Sequence, residues 1–161
     1  MNQLKFICPC LFGLESTLSF EIKKLGGENV TVSDGRVSFY GDENLLARAN
    51  LSLSVAERVL ICLGEFTTTS FNDLYENVKK LPFENFITKS DAFPVKGYSL
   101  NSKLHSVPDC QSIIKKAAVD RLKDKYGIEE EDFLSAEISA VPAGPARDYG
   151  IDRRMIICYG H

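Results

Sequence analysis

The side chains of this 161-residue chain best suited to chemistry are basic and short polar groups gathered in its second half. Lys96, Lys103, Lys115 and Lys116 could each neutralise a phosphate, while Asn101, Ser102 and His105 could hydrogen-bond phosphate or sugar oxygens. Such contact needs mobile positive charge and small polar groups, because no base has to be read. The plainer alternative stays open: Asn101 and Ser102 shape a turn, and the lysines are solvated surface. Local charge bears on the choice. Residues 92–127 carry seven basic side chains against three acidic ones, residues 1–91 nine against twelve, and residues 128–161 three against seven. A basic stretch between acidic ones, inside a chain of net charge −3, is the asymmetry that phosphate contact requires.

Other chemistries find less support. Cys8-Pro9-Cys10 has one intervening residue where a zinc or redox pair has two, and no second ligand pair with His stands nearby, so both thiols are expected in a core at a strand end. His105 and His161 suggest no metal site. Glu129-Glu130-Glu131-Asp132 is a run of acids with no apolar setting to tune one of them, and reads as a solvated loop or helix start. An acyl-phosphate or phosphate-ester hydrolase would want an Arg and an Asn at a strand–helix loop, and Cys10-Leu11-Phe12-Gly13 offers neither. Phe71, Phe83, Phe86 and Phe93 occupy helix or strand core positions and are expected inside. Arg121 projects between Cys110, Ile114 and Ala117 on an apolar helix arc, so it should find an internal acid or carbonyl partner. No residue is assigned a catalytic role.

These groups need elements to hold them. Leu4 to Cys8 reads as a strand, and Leu14, Leu18, Ile22 and Leu25 form one face of a helix from about Gly13, stopped by Gly26-Gly27. Val30 and Val32, then Val37 and Phe39, alternate as two strands across the hairpin signal Asp34-Gly35. Asp42 caps a second helix carrying Leu45, Leu46, Ala49 and Leu53, and Arg58 to Phe66 is a fourth, apolar strand. The order is β-α-β-β-α-β, the ferredoxin-like pattern. Thr67-Thr68-Thr69-Ser70 reads as a linker. Beyond it come a short helix bearing Phe71, Leu74, Tyr75, Val78 and Leu81, a strand near Phe93 and Val95, and a long helix from Asp109 to Tyr126 ended by Gly127. Val141 to Ala146 breaks regular structure, and Met155 to Tyr159 could form a strand.

No apolar run approaches bilayer length, and the N-terminus is too weakly charged and too briefly apolar for a signal peptide. The five scattered cysteines then read as reduced thiols of a cytoplasmic protein.

Several phrases are familiar. Cys10-Leu11-Phe12-Gly13-Leu14-Glu15 with Leu18, Glu21 and Leu25-Gly26, then Gly35-Arg36-Val37-Ser38-Phe39-Tyr40-Gly41 and Ser54-Val55-Ala56-Glu57-Arg58-Val59-Leu60, resemble the opening of the bacterial 23S ribosomal-RNA guanine-N2 methyltransferases. The stretch from Phe93-Pro94-Val95-Lys96-Gly97-Tyr98 through Pro108-Asp109-Cys110-Gln111-Ser112-Ile113-Ile114-Lys115-Lys116-Ala117 resembles the centre of their THUMP domain. The resemblance covers about residues 4–130. It implies an α+β chain: a ferredoxin-like domain over residues 1–66, then a THUMP RNA-binding domain over 67–161. In such enzymes this pair holds structured RNA, and a following Rossmann-like domain transfers a methyl group from S-adenosylmethionine to guanine N2. Neither a Gly-rich strand-to-helix turn able to seat that cofactor nor an Asn/Asp-Pro-Pro-aromatic loop occurs here.

After Ile138 the family continues with strands that complete the THUMP sheet, where this chain has Pro142, Gly144 and Pro145. Residues 139–161 are therefore expected to be atypical, from a truncated or frame-shifted end. The expectation is a non-enzymatic module that holds RNA (ribosomal RNA by resemblance) for a methyltransferase domain in cis or in trans, with no cofactor, metal or membrane of its own. The alternative is a non-functional or protein-interaction fragment of such an enzyme.

Overall fold

A strand made of Leu4–Pro9 (β1) carries Phe6, Ile7 and Cys8 in succession, all essentially shut off from water, so both of its faces must be covered. The computed structural model, which describes residues 3–68, 70–87 and 106–127 and the path of a strand at 155–160, shows how. An α-helix, Glu15–Leu25 (α1), follows, then strands Glu28–Ser33 (β2) and Arg36–Gly41 (β3), helix Glu43–Ser52 (α2) and strand Leu60–Thr67 (β4). β1 pairs antiparallel along its whole length with β3, from Leu4 opposite Gly41 to Pro9 opposite Arg36, and through Phe6 and Ile7 with Ile61 and Leu60 of β4. The sheet order is β2-β3-β1-β4, with Met155–Gly160 (β5) beside β4. Four strands in that order with two intervening helices make the ferredoxin-like pattern, as the sequence predicts.

Local chemistry explains each turn. Gly35 sits at φ +71° between β2 and β3, a conformation costly to any residue with a Cβ. Asn29, at φ +48°, marks a register shift at the start of β2. Gly13 lies at φ +93° and so outside α1, which starts two residues later than its apolar spacing suggests. Asp42 caps α2, accepting from the Leu45 N–H at 2.8 Å. β4 begins at Leu60, not at Arg58, whose exposed guanidinium lies against Glu57 instead. Leu18 and Ile22 of α1, with Leu45, Leu46 and Ala49 of α2, are buried along with Val37 and the cross-strand pair Phe6–Phe39, whose rings stand 5.3 Å apart. Cys8 and Cys10 are buried free thiols, as a core position at a strand end requires, and burial pushes Cys8 up to about 12, which disfavours its thiolate.

The described residues divide within β4 into two compact units, between Leu63 and Gly64. In the second unit come helix Phe71–Lys79 (α3), a single 3-10 turn at Phe83–Asn85, and helix Val107–Tyr126 (α4). Ser70 caps α3 by accepting from the Asp73 N–H, and Thr68 is buried with its hydroxyl donated to the Ser70 carbonyl. The hydroxyl-rich linker of the sequence is thus tied to the start of α3. Leu74 and Val78 of α3 meet Cys110, Ala117, Ala118 and Leu122 of α4 in a core shared with Phe83 and Ile87. Gly64 permits close approach here, since a Cβ in its place would come within 2.5 Å of Leu81 Cδ2. Phe71 departs from expectation: as the first residue of α3 it is 40% exposed. The strand expected near Phe93 and Val95, and most of the atypical stretch 139–161, lie outside the described residues, as do the acids at 129–132.

Candidate nucleic-acid interface

Lys115 and Lys116 are placed by α4, and the helix itself is placed by its apolar and acidic partners. Its small buried residues, Ala117 and Ala118, let α3 approach closely, and Gly127 ends it in the left-handed conformation with its N–H on the Lys123 carbonyl at 2.8 Å. The sequence puts the cap at Asp109; the helix instead begins at Val107, with Pro108 in its first turn. Ser106 holds the cap position and donates its hydroxyl to the Asp109 carboxylate.

Arg121 finds the internal acid its position demands. Its Nη2 and Nε donate to the two carboxylate oxygens of Glu84 at 2.6 and 3.1 Å, a two-pronged pair joining α4 to the 3-10 turn. The Arg121 guanidinium holds Glu84 well below the usual carboxylate range, at about 2. Lys125 adds its ammonium to Glu84 at 3.7 Å. The Tyr126 hydroxyl donates to the Ile87 carbonyl at 2.9 Å, closing the same corner. Lys79 of α3 pairs with Asp124 at 3.3 Å, and the Tyr75 hydroxyl donates to Asp120 at 2.5 Å.

These pairs reduce the basic charge open to a ligand. Arg121 and Lys125, two of the basic residues counted in the 92–127 stretch, are spent on Glu84 inside the unit. Lys116 is exposed, with its ammonium 5.9 Å from the Tyr75 ring centroid, while Lys115 is half-buried one position before it. Neighbouring residues of a helix point about 100° apart, so the two lysines serve adjoining strips of surface. Of the candidate contact residues, the structure therefore brings Lys115 and Lys116 together on one helix. Lys96, Asn101, Ser102, Lys103 and His105 lie outside the described residues. Tyr75 lies against Lys116 and also meets Lys79 and Asp120, and Asp124 pairs with Lys79; the sequence singled out none of the four as contact residues. Their spacing offered one sign: Tyr75 and Lys79, and likewise Lys116, Asp120 and Asp124, repeat at four residues and so share a helix face.

Among the described residues, no group of three or more His, Cys, Asp or Glu side chains could hold a metal ion, and no helix is long and apolar enough to cross a membrane.

Residues 5–60 match the RlmL ferredoxin-like domain family and residues 68–133 the THUMP domain family. The chain is 39% identical over 127 residues to the putative RNA methyltransferase YpsC of Bacillus subtilis, covering 79% of this chain and 33% of that protein. It is 31% identical over 124 residues to the ribosomal RNA large subunit methyltransferase K/L of Cellvibrio japonicus, covering 77% of this chain and 16% of the relative. A crystal structure from Listeria monocytogenes, described as that of a predicted N6-adenine-specific DNA methylase, superimposes with a TM-score of 0.77 at 42% identity, covering 81% of this chain and 34% of that one. A relative of another name also matches: a probable M18 family aminopeptidase 1 of Clostridium acetobutylicum, 36% identical over 106 residues, covering 63% of this chain and 23% of the relative. The chain thus spans about a third of the length of the Bacillus relative, and less of the others named by function.

Proposed function

Residues 5–60 belong to the RlmL ferredoxin-like domain family and residues 68–133 to the THUMP domain family, and from that premise we propose that this chain is the RNA-holding part of an RNA methyltransferase. The observation that carries the reading is the THUMP match over the very segment that bears the basic helix. The finer reading follows the sequence resemblance: the RNA is ribosomal, the modified atom is guanine N2, and the work is done in the cytoplasm. Lys115 and Lys116, with Lys96, Asn101, Ser102, Lys103 and His105, contact phosphate and sugar, so the chain recognises shape and charge more than base sequence. The transferring machinery and its S-adenosylmethionine belong to a methyltransferase domain beyond these residues, and this chain alone catalyses nothing.

The test is a salt titration of stem-loop RNA binding by the chain and by its Lys103→Ala/Lys115→Ala/Lys116→Ala variant. Loss of up to three phosphate contacts should flatten the plot of log affinity against log salt by as much as two to three, at roughly 0.7 to 0.9 per contact. The loss should be alike for RNAs of different sequence. A folded variant with undiminished affinity and slope would sink the assignment of these lysines. Calorimetry with S-adenosylmethionine should give no binding heat, and micromolar binding would overturn the division of labour.

The aminopeptidase-named relative favours a second reading, in which part of the chain belongs to a peptidase. It expects hydrolysis of an aminoacyl anilide, whereas the RNA reading expects none.

A further inference from the structure

Tyr75 stands where α3 and α4 meet, with a cation from each helix close to its ring. The Lys116 ammonium of α4 lies 5.9 Å from the ring centroid and the Lys79 ammonium of α3 lies 6.0 Å from it. The two lysines are not equivalent. Lys79 is already paired with Asp124 at 3.3 Å, whereas the contact that places the exposed Lys116 is the ring itself. The ring is also fixed, because the Tyr75 hydroxyl donates to Asp120 at 2.5 Å. Asp120 is one helical turn beyond Lys116, so a single face of α4 supplies both the cation above the ring and the acceptor for its hydroxyl.

A lysine side chain has several rotatable bonds, and holding its ammonium in one place costs entropy when a phosphate binds. An aromatic face that attracts the ammonium beforehand removes part of that cost. We infer that Tyr75 is a positioning residue for RNA: its ring presents the Lys116 ammonium to a backbone phosphate, and α3 thereby becomes part of the binding surface. The inference rests on the RNA-binding reading and adds to it a residue and an element that the sequence does not single out. Asp120 steadies the ring by accepting from its hydroxyl.

The test is a double-mutant cycle on stem-loop RNA binding by the whole chain, with Tyr75→Leu, Tyr75→Phe, Lys116→Ala and the Tyr75→Leu/Lys116→Ala pair. An exposed cation–ring contact corresponds to about a two- to fivefold change in affinity, so Tyr75→Leu should weaken binding by that much. Its salt slope should move toward that of Lys116→Ala, which should fall by roughly 0.7 to 0.9. Tyr75→Phe keeps the ring but loses its bond to Asp120, so it should weaken binding less than Tyr75→Leu, and a Phe variant as weak as the Leu variant would assign the effect to the hydroxyl and overturn the ring's role. The double variant should bind no worse than Lys116→Ala alone. Circular dichroism and amide exchange in α3 and α4 show whether each variant is folded. Additive losses in the double variant, or parent affinity in a folded Tyr75→Leu chain, overturn the inference. So does a Lys116→Ala chain with undiminished slope. The RNA reading itself is then judged separately, by whether the parent chain binds RNA with a salt dependence that the triple lysine variant reduces.

Discussion

In the sheet unit, Glu15, Glu21 and Asp42 each take a backbone N–H; in the α3–α4 unit, Glu84, Asp120 and Asp124 serve the side chains of other residues. Glu15 accepts from the backbone N–H groups of Gly13 and Gly35 at 2.8 and 2.9 Å, fastening the loop after β1 to the β2–β3 hairpin. Glu21 takes the Ser54 N–H at 3.1 Å together with the Ser54 hydroxyl, and Asp42 takes the Leu45 N–H. In the second unit Glu84 meets Arg121 and Lys125, Asp124 meets Lys79, and Asp120 meets Tyr75. The first arrangement satisfies amides that a turn or helix end would leave unpaired. The second spends opposite charges on fixing a helix, and determines which lysines of a basic segment stay available to a ligand. Counting charges along a sequence cannot distinguish these uses.

The largest effect should come from the sheet core, where no charge is involved. Phe39 is fully buried against Phe6, and Phe39→Ala should cost about 3 to 5 kcal/mol through lost burial and the cavity left behind. Denaturant unfolding gives the magnitude, and amide exchange gives the location. Protection should collapse in β1 and β3 and persist in α3 and α4. If it collapses equally everywhere, the two regions are one cooperative structure and the contrast between their acids carries less meaning.

Next comes the Glu84–Arg121 pair. Both side chains are mostly covered, at 18% and 27% exposed, and Arg121→Ala leaves a carboxylate with most of its hydrogen bonds unmade. The expected loss is about 1 to 3 kcal/mol. Arg121→Lys should restore only part of it, because an ammonium cannot make the two-pronged contact. Equal stability of the lysine and arginine forms would show that charge alone holds the corner.

Much of this was legible in the residues, and the rest was hidden for physical reasons. The hairpin at Asp34-Gly35, the Asp42 cap, the apolar faces of α1 and α2 and the demand of Arg121 for an acid all follow from local rules: positive φ, a short acceptor before a helix, a period of 3.6, and a charge on an apolar arc. The identity of Arg121's partner was not local. Glu84 lies thirty-seven positions away in a turn that only packing brings to α4. Tyr75 passed for an ordinary helix residue for the same reason, since its importance depends on Lys116 arriving from another helix. Phe71 misled because an aromatic in an apolar pattern reads as core, yet the first residue of α3 reaches past the packed face.

Acid should affect both kinds of carboxylate, and salt should separate them. Glu84 is lowered from 4.5 to about 2 by Arg121, so its stabilisation is complete above about 4.5 and is lost as pH falls toward 2. Glu15, lowered chiefly by the Gly35 N–H, and Glu21, lowered chiefly by the Ser54 hydroxyl, lose theirs in the same direction. At neutral pH, raising salt to about 1 M shortens the screening length to roughly 3 Å and should loosen the ion-paired α3–α4 corner more than the amide-bound turns. Amide exchange at Gly35 compared with Ile87 would show it, and equal sensitivity would erase the distinction.

The smallest expected difference sets one helix cap against the other. Asp42 and Ser70 do the same work, each accepting an N–H three residues on, at 2.8 Å from Leu45 and 3.2 Å from Asp73. Only Asp42 titrates. The Leu45 N–H, as the leading cause, lowers its pKa, so the cap on α2 is fully effective above the ordinary aspartate range and weakens as pH falls through the lowered value. Ser70 has no charge to lose, and Ser70→Ala should cost about 0.5 to 2 kcal/mol at any pH where the chain is folded. Asp42→Ser should therefore keep α2 capped while removing the cap's own share of acid sensitivity, read as amide exchange at Leu45 between neutral pH and pH 3. An unchanged acid response in Asp42→Ser would place that sensitivity elsewhere, in Glu15 and Glu21, and would make the α2 and α3 caps equivalent after all.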